Sequence, residues 1–392
     1  MTPQIEKIYV GGWFQRTSLH LSEIYDFLRE AESPLDLDKD KLKNLQKDLE
    51  INFLEMKVED FEYINFKSNL DVEVEIYEDG LMILEKSPET EIKDDIKKLT
   101  AYYEEKLSPA LSYIFSLGAP IPKELANIKN IYPYFLVLDK ANKESIESLL
   151  KHFQQKKYFE IKESTFEIYR GDKLYIINNI SENLSDVRKF IQEQIFIREF
   201  KGQMHRYLNL HRAIWEKIAE VKEQGKIKGK DIPPFKEKIE SYSKTINLIE
   251  ARINQMDTYI RTREAVFKAN KKAAKFIGVL QFKYETLADT LEYIKDIWTM
   301  TKNYVGSALD LFSFLQARST ESSVKNLTVI TSMGVGATLI SLFTQKAPDF
   351  TLFGAIYFLI LAFIGYATNK IMGMIYSNRM YKIKDVEVAK DI

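Results

Sequence analysis
Six residues near the end of the chain, Thr328, Thr331, Gly334, Thr338, Ser341 and Gln345, recur at spacings of three and four. On a helix of 3.6 residues per turn, that spacing puts them on one face. Their chemistry is neutral oxygen: hydroxyls, a side-chain amide and, at the glycine, bare backbone. Such a stripe can line a path for water and ions. It can equally let two helices pack closely and share hydrogen bonds. Two features favour a pore wall. Gln345 is too polar to face lipid, and Thr328 carries the stripe one turn further inward. One copy cannot enclose water, so a pore needs an oligomer.

Other chemistry-bearing residues are sparse. The four histidines, His20, His152, His205 and His211, show no ligand spacing, and the last two fall on different helix faces. With no cysteine, disulfides and thiolate-bound metals are excluded. The acidic stretches Asp36–Asp40 and Glu89–Asp95 could bind divalent cations, but a solvated face or a helix start is the simpler reading. Lys271, Lys272 and Lys275 could meet an anionic ligand, and are more simply solvated. Gly11-Gly12 lies in a strand-like run with no phosphate-loop pattern after it. No nucleophile–base pair and no acid pair stands out, so the chain is expected not to be an enzyme.

The elements that would carry the stripe are two apolar runs, Leu327–Gln345 and Thr351–Ala367, neither holding a charged residue. Each is close to the roughly 20 residues that a bilayer-crossing helix needs. They predict one span over residues 326–346, an outer turn over 347–350, a second span over 351–376 and a tail over 377–392. Lys346 and Asp349 would sit at the outer mouth. Arg318 and Lys325 before the hairpin, and Lys370, Arg379, Lys382 and Lys384 toward its end, place both chain termini in the cytoplasm by the positive-inside rule. No secretory signal opens the sequence, so the location expected is the inner membrane with the bulk of the chain cytoplasmic. A net charge of −1 gives no general attraction to nucleic acid, and direct nucleic-acid binding is not expected.

Upstream, residues 1–182 read as a mixed α/β domain. Strands are expected at Lys7–Phe14 and Tyr132–Leu138, with hairpins at Asp71–Tyr77/Leu81–Leu84 and Thr165–Tyr169/Leu174–Asn178. Helices are expected at Ser22–Glu30, Lys41–Met56, Glu91–Leu117 and Lys143–Phe153. Residues 183–325 read as a helical pair and stalk, broken at Gly225, Gly229 and Asp231-Ile-Pro-Pro-Phe235. Ile246, Ile249, Ile253, Met256 and Ile260 keep a coiled-coil spacing, as do Leu287, Leu291, Ile294 and Trp298. The stretch from Phe235 to Gln345 is either one rod of roughly 165 Å or an additional hairpin, the stripe losing register near Lys271–Gly278.

This order of parts resembles the CorA family of pentameric metal-ion transport proteins. His205-Arg-Tyr-Leu-Asn-Leu-His-Arg-Ala-Ile-Trp215 is similar to that family's basic, Leu-rich helix. Ile232-Pro-Pro-Phe235 is similar to the start of its stalk, and Val324-Lys-Asn-Leu-Thr-Val-Ile-Thr331 to its stalk–membrane junction. The resemblance implies an α+β cytoplasmic domain, a long helical stalk, two C-terminal transmembrane helices, a homopentamer, a bilayer partner and a pore lined by the first span. The family's Gly-Met-Asn at the outer end of that span is missing, the position reading Ser341-Leu-Phe-Thr-Gln345-Lys346. Gly373-Met374 occurs in the second span and is followed by Ile375. CorA-like proteins without this motif include CRISPR-associated membrane effectors switched on by a nucleotide second messenger. The function expected is therefore a ligand-gated channel, with a nucleotide or a divalent cation as ligand and antiviral defence as setting. A magnesium-type transporter is the first alternative. A membrane-anchored structural or signalling protein without conductance is the second.

Overall fold
The computed structural model describes residues 5–15, 20–114, 131, 134–162, 166–179, 184–223, 226–269, 277–343 and 352–382, with some side chains of the last two helices excepted. It is an α+β structure ending in long helices. The chain divides into two compact units, Met1–Leu208 with Leu248–Asp296, and Asn209–Asn247 with Ile297–Ile392.

The first unit is built on a nine-stranded mixed sheet ordered β2-β3-β4-β5-β1-β6-β9-β8-β7. Its strands are β1 (Ile5–Trp13), β2 (Ile51–Val58), β3 (Glu62–Ser68), β4 (Glu73–Tyr77), β5 (Leu81–Lys86), β6 (Tyr134–Asp139), β7 (Phe159–Lys162), β8 (Phe166–Arg170) and β9 (Leu174–Asn179). The β6–β9 pair is parallel; the remaining neighbours are antiparallel. One sheet face carries Ile8, Val10, Ile64, Phe66, Val74, Ile76, Met82, Leu84, Leu136, Leu138 and Ile176. These pack against α1 (Leu21–Glu30), α2 (Lys39–Asp48), α3 (Ile92–Ala101), α4 (Ser108–Ile114) and α5 (Lys143–His152) as one apolar core. A π-helical segment, Tyr102–Leu107, joins α3 to α4.

The opposite face lies under parts of three long helices, α6 (Leu184–Glu223), α7 (Ile232–Ala269) and α8 (Ile277–Phe343). Trp13 meets Phe196 and Phe200 of α6 and Tyr259 of α7, with ring centroids 5.4–5.9 Å apart. Gly11 is required by this packing. A Cβ there would stand 2.4 Å from the Met82 carbonyl oxygen and 2.9 Å from Ile195 Cδ1. The glycine thus serves close helix–strand contact.

Both expected hairpins are present, as β4–β5 and β8–β9, as are α1, α5 and α6. The helix expected over Lys41–Met56 is corrected. It ends at Asp48, Glu50 takes a positive φ of 51°, and Ile51–Val58 is strand β2. Leu42, Leu45, Leu49, Phe53 and Met56 keep a helical spacing, but seven-residue pairing with β3 overrides it. The helical run predicted from Glu91 is followed to Ile114, and 115–117 lie outside the described residues. The expected strands at Tyr132 and Thr165 begin within the described residues at Tyr134 and Phe166.

The stretch after Phe235 is two helices, α7 and α8, rather than one rod. In the first unit they run antiparallel, with Asp257 meeting Lys295 at 3.4 Å and Phe267 meeting Tyr284 at 6.1 Å. In the second unit the start of α7 packs on α8. Phe235 faces Phe312 at 6.2 Å, and Lys236 Nζ donates to Gln316 Oε1 at 3.1 Å. There α6 also packs on α8 through Trp215 and Tyr304, stacked at 4.3 Å. After α9 (Leu352–Ser377), strand β11 (Met380–Lys382) pairs antiparallel with β10 (Lys226–Lys228), just ahead of α7.

Candidate functional site
Strand alternation decides where the acidic residues of β4 go. Val74 and Ile76 enter the apolar core, so Glu73, Glu75 and Tyr77 must take the other face. The first turns of α6 cover that face with two neighbouring rows at i, i+4, i+8 spacing: Leu184, Arg188 and Gln192, and Ser185, Lys189 and Glu193. Between sheet and helices lies a cavity of about 330 Å³, lined also by Lys7, Tyr9, Phe61, Tyr63, Glu85 and Arg263.

The cavity is held by two buried ionic groups. In the first, Arg188 lies against Glu75, with Glu85 at 3.7 Å and Glu73 at 4.0 Å. Lys7 meets Glu85 at 2.6 Å, and Tyr77 OH donates to Glu75 Oε2 at 2.9 Å while accepting from Gln192 at 2.6 Å. Burial pushes the Glu75 carboxyl above its usual range, and Arg188 only partly offsets this. In the second, Arg263 of α7 bridges Asp79, in the β4–β5 turn, and Glu193 of α6, the latter at 3.0 Å. Tyr284 of α8 donates to Glu193, and Trp13 Nε1 donates to the Asp79 carbonyl at 2.8 Å. Burial would lower the Arg263 guanidinium, but Asp79 and Glu193 outweigh it and keep it charged; for Glu193, burial wins and its pKa is raised. Phe61 and Phe196 sandwich the guanidinium at 4.9 and 4.7 Å.

Chemically this is a site for binding and rearrangement. Its charges are paired, yet Arg188 Nε is buried without a hydrogen-bond partner. Five carboxylates (Glu59, Asp60, Glu75, Glu85, Glu193) line the cavity against four cations (Lys7, Arg188, Lys189, Arg263). That balance favours a neutral or cationic polar guest over a polyanion. Among the described residues, no group of three or more His, Cys, Asp or Glu is placed to hold a metal ion.

The residues singled out from sequence lie elsewhere. Thr328, Thr331, Gly334, Thr338 and Ser341 are on α8, where Thr331 and Gly334 are exposed. The side chains of Thr328, Thr338 and Ser341 are not among those described, and Gln345, Lys346 and Asp349 lie outside the described residues, as do Lys271, Lys272 and Lys275. The acidic stretches serve helix starts. Asp38 Oδ1 accepts from Lys41 N at 2.9 Å, and Asp95 accepts from the backbone of Glu89 and Thr90. Burial would raise Asp95, but these bonds hold it below its ordinary value. His211 packs against Trp298 at 6.0 Å in the second unit, and burial lowers its pKa. The cavity residues were missed. Their signal was the acidic alternation of β4, which reads as a wet face until Arg188 and Gln192 are seen to cover it.

No protein-family model matches the chain, and no curated protein matches it. Among solved structures it is similar to the complete CorA magnesium transporter of Methanocaldococcus jannaschii, at 11% identity and a TM-score of 0.24 over 64% of this chain and 91% of that one. It is also similar to the soluble domain of CorA from the same organism, at 10% identity and a TM-score of 0.18 over 44% of this chain and 86% of that one.

Proposed function
We propose that the chain is a CorA-like membrane channel of the inner membrane, assembled as a homopentamer and opened by a ligand acting on its α+β domain. The observation that carries this reading is α9. Over its 26 residues the only charged side chain is Lys370. Ile356, Leu359, Ile360, Phe363, Ile364, Ile371, Met374 and Ile375 are each between 46% and 70% exposed. Leaving so much apolar surface in water is costly, at roughly 25 cal/mol per Å². A bilayer removes that cost. Among the described residues no helix is long and apolar enough to cross a membrane; in sequence, Leu327–Gln345 and Thr351–Ala367 hold no charged residue. The β10–β11 pairing suits a hairpin whose chain returns to the side it left; the cytoplasmic side for both termini rests on the distribution of Lys and Arg.

In this reading the stripe from Thr328 to Gln345 lines the pore, with Lys346 and Asp349 at its mouth. Opening requires a ligand that binds one state better than the other. The acidic excess of the cavity lined by Glu75, Arg188 and Arg263 disfavours a nucleotide there, so a nucleotide messenger would need another site. Magnesium-type transport and a non-conducting anchor are the competing readings. The chain expressed in cells should stay with membranes through alkaline extraction, and native mass spectrometry in detergent should give a pentamer. Release by alkali, or a monomer under those conditions, contradicts the proposal.

A further inference from the structure
A second cavity, of about 290 Å³, lies under the β7 edge of the sheet. Phe159 and Ile161 of β7, Ile168 and Arg170 of β8 and Tyr175 of β9 form one side; Phe190 and Gln194 of α6 and Lys283 of α8 form the other. Tyr158 at 63% and Phe159 at 49% exposure stand at its mouth. Among the described residues no carboxylate lines it. Its polar groups are overwhelmingly donors. Lys283 Nζ donates to Gln194 Oε1 at 2.7 Å, which turns the amide so that its Nε2 is buried with no acceptor. Gln194 is only 4% exposed. Arg170 lies over the Tyr175 ring at 5.5 Å, and Arg198, one turn along α6, has a buried Nη1 without a partner. An orphaned buried donor beside the partly buried Lys283, with the exposed Arg170 at the rim, is costly unless an acceptor arrives. Burial, with Arg170 second, also holds the Lys283 ammonium down to about 8.

We propose that this cavity binds a small aromatic anion, its negative group taken by Lys283, Gln194 Nε2 and Arg170 and its ring by Phe159, Tyr175 and Phe190. The volume sits at the small end of the range of ligand pockets, which suits a one-ring guest. The inference is independent of the channel reading.

Isothermal titration of the full chain in detergent tests it, with phenyl phosphate and benzoate as probes, and inorganic phosphate and benzyl alcohol as the separated halves. At least one aromatic anion should bind, and both halves at least about tenfold more weakly. Gln194→Glu places a carboxylate beside Lys283 with little change of shape, and Lys283→Met removes the charge. Each should weaken the aromatic anion by about tenfold or more with the unfolding transition retained. If Lys283→Met fails to fold, Gln194→Glu decides. Lys189→Met, in the other cavity, should leave binding unchanged. Absence of binding by both aromatic anions, benzyl alcohol binding as tightly as they do, or folded variants binding like wild type would overturn the proposal.

Discussion

The two faces of the sheet are made from the same strands yet differ in kind. Toward α1–α5 the strands present aliphatic and aromatic side chains in one apolar core. Toward the long helices they present Tyr9, Tyr63, Glu75, Tyr77 and Glu85, and the helices answer with Arg188, Glu193 and Arg263. An apolar face tolerates repacking at modest cost. A buried ionic face holds one arrangement of partners, and losing any partner is expensive. The contrast separates a scaffold from a surface able to register a bound ligand.

The largest effect should come from breaking the ionic face. Arg263→Met leaves Asp79 and Glu193 buried without their cation, and should cost about 3–5 kcal/mol in denaturant unfolding. Adding Asp79→Leu and Glu193→Leu should restore most of that loss, since an apolar replacement of the whole group removes the unpaired charges. On the apolar face, Ile76→Ala should cost about 2–5 kcal/mol by leaving a cavity. No second substitution of a charged residue should rescue it. If Asp79→Leu with Glu193→Leu restores nothing to Arg263→Met, the contrast between the faces fails. Gly11→Ala sits where α6 touches β1, and should cost about 1–3 kcal/mol through overpacking.

A smaller effect is set by pH. Lys283 is held at about 8 against its ordinary 10.5, by burial first and Arg170 second. Arg170 from β8, Tyr175 from β9 and Gln194 from α6 face it. Because the folded value is the lower one, charging Lys283 opposes folding. Its stabilising contribution is full above pH 10.5 and is lost as pH falls through 8. Unfolding of wild type followed between those values should show a rise in stability that Lys283→Met lacks.

Much of the helical architecture was legible because burial enforces the 3/4 period. Ile246, Ile249, Ile253, Met256 and Ile260 are all buried, as are Leu287, Leu291, Ile294 and Trp298. The same spacing misled at Leu42–Met56, where local periodicity cannot report that β3 waits to pair with Ile51–Val58. The break between α7 and α8 was visible as a loss of register, but its consequence, an antiparallel pair, depends on contacts such as Asp257–Lys295 far apart in sequence. The cavity was illegible for a similar reason. Glu75, Arg188 and Arg263 are scattered along the chain, and only the fold brings them together. Conversely, the polar stripe from Thr328 to Gln345 is plain in sequence, its positions from Thr328 to Ser341 fall on α8, and one copy of such a stripe cannot enclose water.

Ion flux through liposomes is the most direct test of the central claim. The wild-type chain, opened by its ligand, should conduct. The same chain with Thr338→Leu should assemble to the same oligomer and lose its flux. Equal flux with and without Thr338→Leu, or no flux from any of these chains, would contradict the account.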